Sequence, residues 1–482
     1  MNYKWERDGR AAVSRRDFLK ISAGAVAGGI LAGNPDVAPA APGQEKDQTA
    51  LRIGLAKVCT TPEQPIWLHG YASKSRFRPF EGKLNELYAK AMAIEDIRGH
   101  QAVLITIDQC VLRAAEAKAL FERIVSKSGL ARGQISLNLS HTHSGPLIGT
   151  SDLNRYPMPD EIRKRTEQYT DQLMDKLANL TAAALADLKP ARLSWGVGKA
   201  DFVMNRRTYK KNGAYRGMGP NPDKYVDRSV PVLRVDGPDG QIRALVFGCA
   251  CHAVTLGNSN IKLSGDYPSF AQESLQKRYP GVQAMFVQGC GADANSHPRC
   301  GPKQEEIVRR QGESLGAEVA RVASGKLQPV RGPLDVEFAE VDLPLEPVPS
   351  RERLKKLGGA QAYNARRMLA ALDRNESLPT HHKVPIALWQ FGRDLTFVGL
   401  PCETVSAYVP LVQKALGSER LWIAGYSNEV DGYLPDAVIV AEGGYEARGL
   451  VAEIGFYSAR AQDVVVETVR KLAQQAGRPI RP

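Results

Sequence analysis

A short apolar stretch runs directly into a histidine-bearing turn in the segment Ile135-Ser136-Leu137-Asn138-Leu139-Ser140-His141-Thr142-His143-Ser144-Gly145-Pro146. An apolar run this short, closed by a Gly-Pro turn, is typical of a buried strand. Similar runs recur along the chain at 102–107, 244–247, 284–287 and 395–398. We therefore predict a fold built on buried β-strands.

Amphipathic stretches alternate with these strands and predict helices over 111–128, 161–187, 303–324, 351–374, 403–416 and 450–476. The alternation indicates an α/β (α+β) fold with layered β-sheets flanked by helices. Turn signals at 236–240 and 392–394 add antiparallel hairpins, so the sheets are expected to be mixed. Because no repeat or break in composition divides the chain, we predict one catalytic domain over 51–482.

The charge and hydropathy of the chain exclude two classes of protein. Its 482 residues carry 64 Lys and Arg against 52 Asp and Glu, a formal net charge of +12. These cations are spread among acids and follow no nucleic-acid-binding motif, so we predict no nucleic-acid partner. No apolar run reaches the roughly 18 residues that a membrane-spanning helix needs, so no transmembrane segment is expected in the mature chain.

The first forty residues have the parts of an export signal. Arg15-Arg16 precedes a short Gly/Ala-rich apolar stretch from Ile21 to Gly33, and Ala38-Pro39-Ala40 follows as a cleavage site. Paired arginines in this context indicate the twin-arginine export machinery as a partner. We therefore predict a signal peptide over 1–40, a polar link over 41–50, and a periplasmic or secreted protein.

Histidines stand at the ends of two predicted strands. His141 and His143 are two residues apart, so both side chains leave the strand end on the same face. His252 follows the apolar run that ends near Cys249. Catalytic zinc takes about three protein ligands and keeps a position open, which such strand ends can supply. The alternative interpretation is a pair of hydrogen-bonded turn histidines.

Acidic and tyrosine residues form a second group of candidates. Glu403 follows a strand at a predicted helix start, where an acid is also explained by the helix dipole. Tyr433 and Tyr445 lie in a turn-rich segment before the last helix, where tyrosines are as often packing anchors as ligands. The loop 289–295, rich in glycine, is either part of an active site or only a turn.

A serine nucleophile is the other enzymatic interpretation of the histidine turn. Ser140 and Ser144 flank the two histidines. Neither serine stands in the G-x-S-x-G motif of a nucleophile elbow, so a serine hydrolase is the weaker hypothesis.

Taken together and in this order, the motifs resemble those of the neutral (non-lysosomal) ceramidases, which are zinc-dependent amidases. The resemblance covers roughly residues 51–460 and rests on Gly70-Tyr71-Ala72, Leu87–Ala91, Ser140–Pro146, Asn205-Arg206, Cys251-His252, Ser264-Gly265-Asp266, Glu403, and the tyrosines Tyr433 and Tyr445. Two positions depart from the family pattern, Asn295 where the family has serine and Val430 where it has tyrosine. No immunoglobulin-like domain is expected after the catalytic domain.

The resemblance implies a role for each candidate. His141, His252, Glu403 and Tyr433 would bind Zn²⁺, and Glu403 would also act on the attacking water. His143, Arg206 and Tyr445 would then line the site as catalytic residues that stabilise the transition state.

We therefore predict an exported zinc-dependent hydrolase that cleaves an amide (N-acyl) bond of a small-molecule or lipid substrate. One alternative keeps the zinc site but hydrolyses an ester, lactone or glycosidic bond of a carbohydrate, with a glycan as substrate. The other alternative is an exported binding protein without catalytic activity.

Overall fold

Strands and helices alternate through the described part of the chain, as predicted. The computed structural model describes residues 51–150, 158–451 and 454–480, so the predicted signal peptide (1–40) and link (41–50) lie outside the described residues. The strands are β1 (Leu51–Cys59), β2 (Tyr88–Glu95), β3 (Gln101–Ile107), β4 (Ile135–Leu139), β5 (Lys189–Lys199), β6 (Val203–Tyr209), β7 (Tyr215–Asn221), β8 (Ser229–Asp236), β9 (Ile242–Cys249), β10 (Gln283–Gln288), β11 (Ala294–Ser296), β12 (Gln328–Val330), β13 (Leu334–Pro344), β14 (His381–Phe391), β15 (Leu395–Gly399), β16 (Glu403–Thr404), β17 (Leu421–Ala424) and β18 (Tyr433–Leu434). The helices are α1 (Ala114–Ser128), α2 (Asp160–Ala186), α3 (Asp266–Arg278), α4 (Gln304–Ala323), α5 (Arg351–Lys356), α6 (Ala362–Asp373), α7 (Tyr408–Leu416), α8 (Ala437–Glu442) and α9 (Arg460–Gln475).

The strands form two large sheets and two small ones. The largest has the order β10-β9-β8-β5-β1-β2-β3-β4, with β12 paired to β5. The second is β13-β14-β15-β17, and the small ones are β11-β6-β7 and β16-β18. Antiparallel hairpins join β8 to β9 and β14 to β15 at the two predicted turns, whereas β3–β4, β9–β10 and β15–β17 are parallel. The prediction of mixed sheets is therefore confirmed.

Successive side chains of a strand point to opposite faces of the sheet, and each face packs against a different layer. In β2, Ala89 and Ala91 pack toward α1 and α2, whereas Met92 and Ile94 point to the opposite side. That opposite side meets the second sheet, which contributes Trp389 among other large side chains. Helices α3 and α4 cover the β8–β10 part of the first sheet, and α7 and α9 cover the outer face of the second sheet. The helix-flanked layered sheets predicted from the sequence are present.

The largest sheet curls until its two edge strands approach each other, and one asparagine links them. Asn138 on β4 accepts a hydrogen bond from the backbone N–H of Gln288 on β10 at 2.7 Å. Its amide donates to the carbonyls of Gln288 (3.2 Å) and Gly425 (2.8 Å). Because these groups are buried and polar, their pairing is worth more than surface hydrogen bonds. The curl brings the ends of β4 and β9 together although they lie far apart in the strand order.

Two predicted helices begin later than the amphipathic pattern indicates. The helix predicted from 403 begins at Tyr408, because Glu403 and Thr404 form β16 and pair with β18. The helix predicted from 450 begins at Arg460, since Gly455 adopts φ +149, which is incompatible with a helix.

The segment 351–374 was wrongly predicted as one continuous helix, and two helices, α3 and α8, were not predicted. Residues 351–374 contain two short helices, α5 and α6, separated at Gly358 and Gly359, where Gly359 adopts φ +57. Helix α3 was not predicted because most of its first turns are buried, so its sequence lacks an amphipathic stripe.

The described residues belong to one compact unit, which spans 48–482. Within the ranges described, every helix is too short or too polar to cross a membrane.

Candidate metal centre

Three donor atoms from distant parts of the chain meet beyond the ends of the strands. His141 follows β4, His252 follows β9, and Glu403 opens β16 beyond the end of β15. The Glu403 Oε2 atom lies 3.1 Å from His141 Nε2 and 3.1 Å from His252 Nε2. All three side chains are buried, and their donor atoms lie within 4.8 Å of one another. These three residues can therefore hold one metal ion.

Backbone carbonyls orient both imidazole rings. His141 Nδ1 lies 2.7 Å from the carbonyl of Cys110, and His252 Nδ1 lies 2.8 Å from the carbonyl of Gly291. Each Nδ1 must carry a proton to donate to its carbonyl, which leaves the Nε2 lone pair of a neutral ring facing the carboxylate. Three acceptors then converge without a donor among them, so the cluster requires a positive charge at its centre. Two imidazoles and one carboxylate are a donor set suited to Zn²⁺.

The electrostatics of the cluster agree with that requirement. Burial opposes ionisation of Glu403, but His141 and His252 hold its pKa well below the usual range. Burial and Arg206 lower the pKa of His252 to about 3. Burial also disfavours a charge on His141, yet Glu403 raises the pKa of His141 to about 10. A metal ion would thus compete with a single proton on His141 for the centre.

Tyr433 and Arg206 complete one side of the cluster. The parallel pairing of β16 with β18 places Tyr433 beside Glu403, and the Tyr433 hydroxyl lies 3.4 Å from His252 Nε2. Arg206 Nη2 donates to the Tyr433 hydroxyl at 3.0 Å. Burial raises the pKa of Tyr433 well above its usual value, although the charge of Arg206 opposes this. The Tyr433 hydroxyl therefore lies directly beside the three donor atoms.

His143 and Tyr445 lie on the side of the cluster that is not fully buried. His143 Nε2 lies 3.1 Å from His141 Nε2, and burial lowers the pKa of His143 well below its usual range. The Tyr445 ring lies 5.5 Å from the Tyr433 ring. Both residues are partly exposed, whereas the three donors and Arg206 are buried. The structure thus brings all seven residues singled out in the sequence into one cluster.

Backbone strain accompanies the donors. His141 has φ 58, Cys402, which precedes Glu403, has φ 61, and Tyr426, whose ring lies 4.6 Å from His141, has φ 50. A residue with a side chain adopts this left-handed region only at a cost of about 1 kcal/mol or more, and such residues concentrate at functional sites.

The serine alternative is not assembled in the structure. Ser140 Oγ is buried without a hydrogen-bond partner, and Ser144 Oγ accepts a hydrogen bond from Asn260. Within the described ranges, neither hydroxyl is hydrogen-bonded to a histidine, so no serine–histidine pair is ready to act.

Several residues of the site carried no role in the sequence-based prediction. Glu446 accepts hydrogen bonds from Arg206 at 2.8 Å and from Arg207 at 2.5 Å. Arg448 donates to the Tyr445 hydroxyl at 2.9 Å. Tyr71 lies 4.8 Å from His143, ring to ring. Glu446 and Arg448 follow Tyr445 so closely that the same loop could have indicated them, whereas Cys110 and Gly291 act through carbonyls that leave no trace in the sequence.

The two departures from the family pattern have different surroundings. Asn295 Oδ1 accepts a hydrogen bond from Arg206 Nη1 at 3.3 Å, so this position contacts the site. Val430 is fully buried in the core next to α1 and α2.

Comparison with known proteins places this geometry in context. No family model matches the chain. In sequence, it is 23% identical over 205 residues to neutral ceramidase B and 22% identical over 208 residues to neutral ceramidase A, both of Dictyostelium discoideum. These matches cover 40% and 41% of this chain but only 27% and 28% of the relatives, so the chain spans about a quarter of the length of the curated relatives it matches.

Solved structures match over a longer range. A ceramidase complexed with C2 has a TM-score of 0.68 and 19% identity, with 90% of this chain and 76% of that chain covered. The neutral ceramidase from Pseudomonas aeruginosa has a TM-score of 0.68 and 21% identity, covering 90% and 75%. Their fold is the fold found here, and the family resemblance predicted from the sequence is confirmed. The chain therefore has the fold of these neutral ceramidases and resembles neutral ceramidases in sequence.

Proposed function

We propose that this chain is a zinc-dependent hydrolase that cleaves the amide bond of an N-acyl substrate. The convergence of His141, His252 and Glu403, with the Tyr433 hydroxyl beside them, is the observation that carries the proposal. The names of the relatives, which are neutral ceramidases, support an amide bond as the bond cleaved. A lipid N-acyl amide is therefore the first substrate class to test.

His141, His252, Glu403 and Tyr433 would hold the metal. When bound, Zn²⁺ would polarise the amide carbonyl and make a water molecule acidic enough to attack it near neutral pH. Glu403 is ionised, so its carboxylate can accept the proton that the attacking water loses.

Arg206, His143 and Tyr445 would act on the substrate itself. Arg206 is held by Glu446 and points its Nη2 at the Tyr433 hydroxyl, so its positive charge would face a carbonyl oxygen that becomes negative beside Tyr433. Fixed donors of this kind typically lower a barrier by about 3–4 kcal/mol. The Tyr445 hydroxyl or the His143 imidazole, both on the open side, would donate the proton that the departing nitrogen needs.

Metal content and hydrolysis measured together test the proposal. Purified protein is analysed for bound metal and assayed with a panel of N-acyl amides, esters and glycosides. We expect about one zinc ion per chain, hydrolysis of amides, and a loss of about a thousandfold or more in His141→Ala. His381→Ala changes an exposed histidine and is the matched control. Absence of zinc, or full activity of His141→Ala, would contradict the proposal, and turnover of glycosides alone would favour the carbohydrate alternative.

We also propose that residues 1–40 direct export by the twin-arginine route and that the catalytic domain covers 51–482. The paired Arg15-Arg16 and the Ala38-Pro39-Ala40 site support this. We expect Arg15→Lys combined with Arg16→Lys to leave the protein in the cytoplasm of a bacterial host, as measured by cell fractionation. Export of the double variant at the normal level would contradict it.

A further inference from the structure

Arg448 is a positive charge at the open side of the metal centre. Its Nη1 donates to the Tyr445 hydroxyl at 2.9 Å. Its guanidinium lies 5.3 Å from the centre of the Tyr433 ring and 5.1 Å from the centre of the Tyr445 ring. Two aromatic faces and one hydroxyl hold the group in place, which leaves most of its N–H donors available.

Arg206 and Arg207 are matched by carboxylates, whereas Arg448 has none beside it among the described residues. Arg206 is paired with Glu446, and Arg207 is paired with Glu446 and Glu442. Counting only side chains in the described ranges, no carboxylate lies within 4.0 Å of Arg448. The carboxylate that acts on it electrostatically is that of Glu403, and the neighbouring positive charge of Arg113 opposes the charge on Arg448.

With a metal ion bound, less negative charge would remain to balance the positive charge of Arg448. Glu403 would then offset part of the charge of the divalent cation, so it would no longer compensate Arg448. If Tyr433 were ionised as well, the two negative ligands would neutralise the divalent cation and nothing more. The positive charge of Arg448 would still be uncompensated. A partly buried charge without a counter-ion is costly, and an incoming anion would remove that cost.

The position of Arg448 defines where that anion belongs. Tyr445 is one of the two groups proposed to protonate the leaving nitrogen, and Arg448 holds its hydroxyl. An anionic group within reach of Arg448 is therefore attached to the amine part of the substrate, close to the scissile bond. Arginine binds carboxylates with two parallel N–H donors, which selects a planar anion over a hydroxyl group.

We propose that Arg448 is a specificity-determining residue that binds a carboxylate on the amine part of the substrate, so that the substrates are N-acyl amino acids. This inference rests on the proposed amide hydrolysis. In the reaction, the C–N bond breaks, the acyl carbon gains the hydroxyl of water, and the nitrogen gains a proton. The products are a long-chain carboxylate and a free amino acid.

A pair of substrates that differ only in this group tests the proposal. N-lauroylglycine and N-lauroylethanolamine have the same acyl chain and amide, but the second carries a neutral hydroxymethyl group in place of the carboxylate. We expect the wild-type kcat/KM to favour N-lauroylglycine by about tenfold or more. We expect Arg448→Met to lower the kcat/KM for N-lauroylglycine by about tenfold or more beyond its effect on N-lauroylethanolamine, whose kcat/KM falls only through the lost hydrogen bond to Tyr445.

Two further variants control for charge and for fold. Arg448→Lys keeps the charge but cannot bind a carboxylate through two parallel N–H donors. We expect its kcat/KM for N-lauroylglycine to lie between those of wild type and Arg448→Met. Arg366→Met removes an exposed arginine on α6 and is expected to leave both substrates unaffected. If Arg448→Met lowers the kcat/KM for both substrates by the same factor, Arg448 only positions Tyr445 and the inference is overturned.

Binding to the metal-loaded enzyme gives a readout that needs no turnover and no variant. A ketone analogue in which CH₂ replaces the amide nitrogen of N-lauroylglycine cannot be hydrolysed. We expect calorimetry to show that it binds about tenfold or more tightly than the corresponding alcohol. Equal affinities, together with equal hydrolysis of the two amides, would overturn the inference and leave the proposed function intact. Preferential binding without hydrolysis of any amide would refute the proposed function and leave the carboxylate site standing.

Discussion

Glu446 holds two arginine side chains at the candidate metal centre. Its carboxylate is fully buried, and it is the ion-pair partner of both Arg206 and Arg207. Arg206 points at the Tyr433 hydroxyl, so the direction of this positive charge depends on Glu446. A glutamate without contact to the proposed metal ligands therefore contributes to the geometry of the site.

Replacing Glu446 by glutamine leaves the buried guanidinium of Arg206 without its counter-ion and leaves Arg207 paired with Glu442 alone. Removing one partner of a buried ion pair typically costs about 3–5 kcal/mol. We expect Glu446→Gln to lower the free energy of unfolding by about that amount, as measured by urea denaturation, and to reduce kcat. The control is Glu376→Gln, which breaks an exposed pair with Arg374 and should change stability little. Equal stability of Glu446→Gln and wild type would contradict the expectation.

Glu429 is a buried carboxyl that should shape the pH dependence of stability. Burial raises its pKa from 4.5 to about 7, and Asp431 adds to the shift, whereas His382 and Arg132 oppose it. One carboxylate oxygen is buried without a hydrogen-bond partner. The folded protein thus holds this proton more tightly than the unfolded chain does. Its contribution to stability is greatest below pH 4.5 and falls as the pH rises to about 7.

Glutamine at this position removes the titration. Relative to wild type, we expect Glu429→Gln to gain stability between pH 4.5 and pH 7, by an amount on the order of 3 kcal/mol. Urea denaturation of both proteins at several pH values measures the difference, in which contributions from all other groups cancel. Parallel stability curves for the two proteins would show that Glu429 titrates normally.

At the level of elements, the loop after β10 positions His252 through its backbone. A Cβ atom on Gly291 would lie 2.5 Å from the backbone atoms Ala250 C and Cys251 N, in the segment that leads to His252. The carbonyl of Gly291 also accepts the hydrogen bond that orients His252. Glycine is therefore needed here for close approach of two backbone segments, which is more than the turn that the sequence alone indicated.

Gly291→Ala should push these two segments apart. We expect zinc affinity, measured by competition with a chelator of known affinity, to fall by about ten- to a hundredfold, because the partner that orients a ligand is displaced. Gly358→Ala is the matched control, since a Cβ there meets no atom within 4 Å. Unchanged affinity in Gly291→Ala would mean that the loop can yield without moving His252.

For the whole molecule, metal binding should be linked to stability. The four proposed ligands come from 141 to 433 in the sequence, so the unfolded chain cannot present them together. An ion that binds only the folded state stabilises it by about 2.7 kcal/mol when its free concentration is a hundredfold above Kd. We expect a strong chelator to lower the Tm of the wild type and to leave that of His141→Ala unchanged. An identical response of both proteins would exclude a metal site at His141.

The sequence by itself determined the strand and helix alternation, the mixed sheets, the resemblance to neutral ceramidases and the seven residues of the cluster. Short apolar runs and histidines at strand ends are local patterns, so they can be recognised without the tertiary structure. Local patterns were less informative at 403–416 and 351–374. There, pairing of Glu403 with Tyr433 and the conformations of Gly358 and Gly359 override the amphipathic signal.

Only the tertiary structure decided how the donors meet and what surrounds them. Asn138 links the two edges of the curled sheet, and this closes the distance between the ends of β4 and β9. The carbonyls of Cys110 and Gly291 orient the imidazoles. Backbone carbonyls are present at every residue, so no pattern distinguishes these two. The unmatched charge of Arg448 is likewise visible only in space, because a charge is compensated or not by what lies beside it after folding.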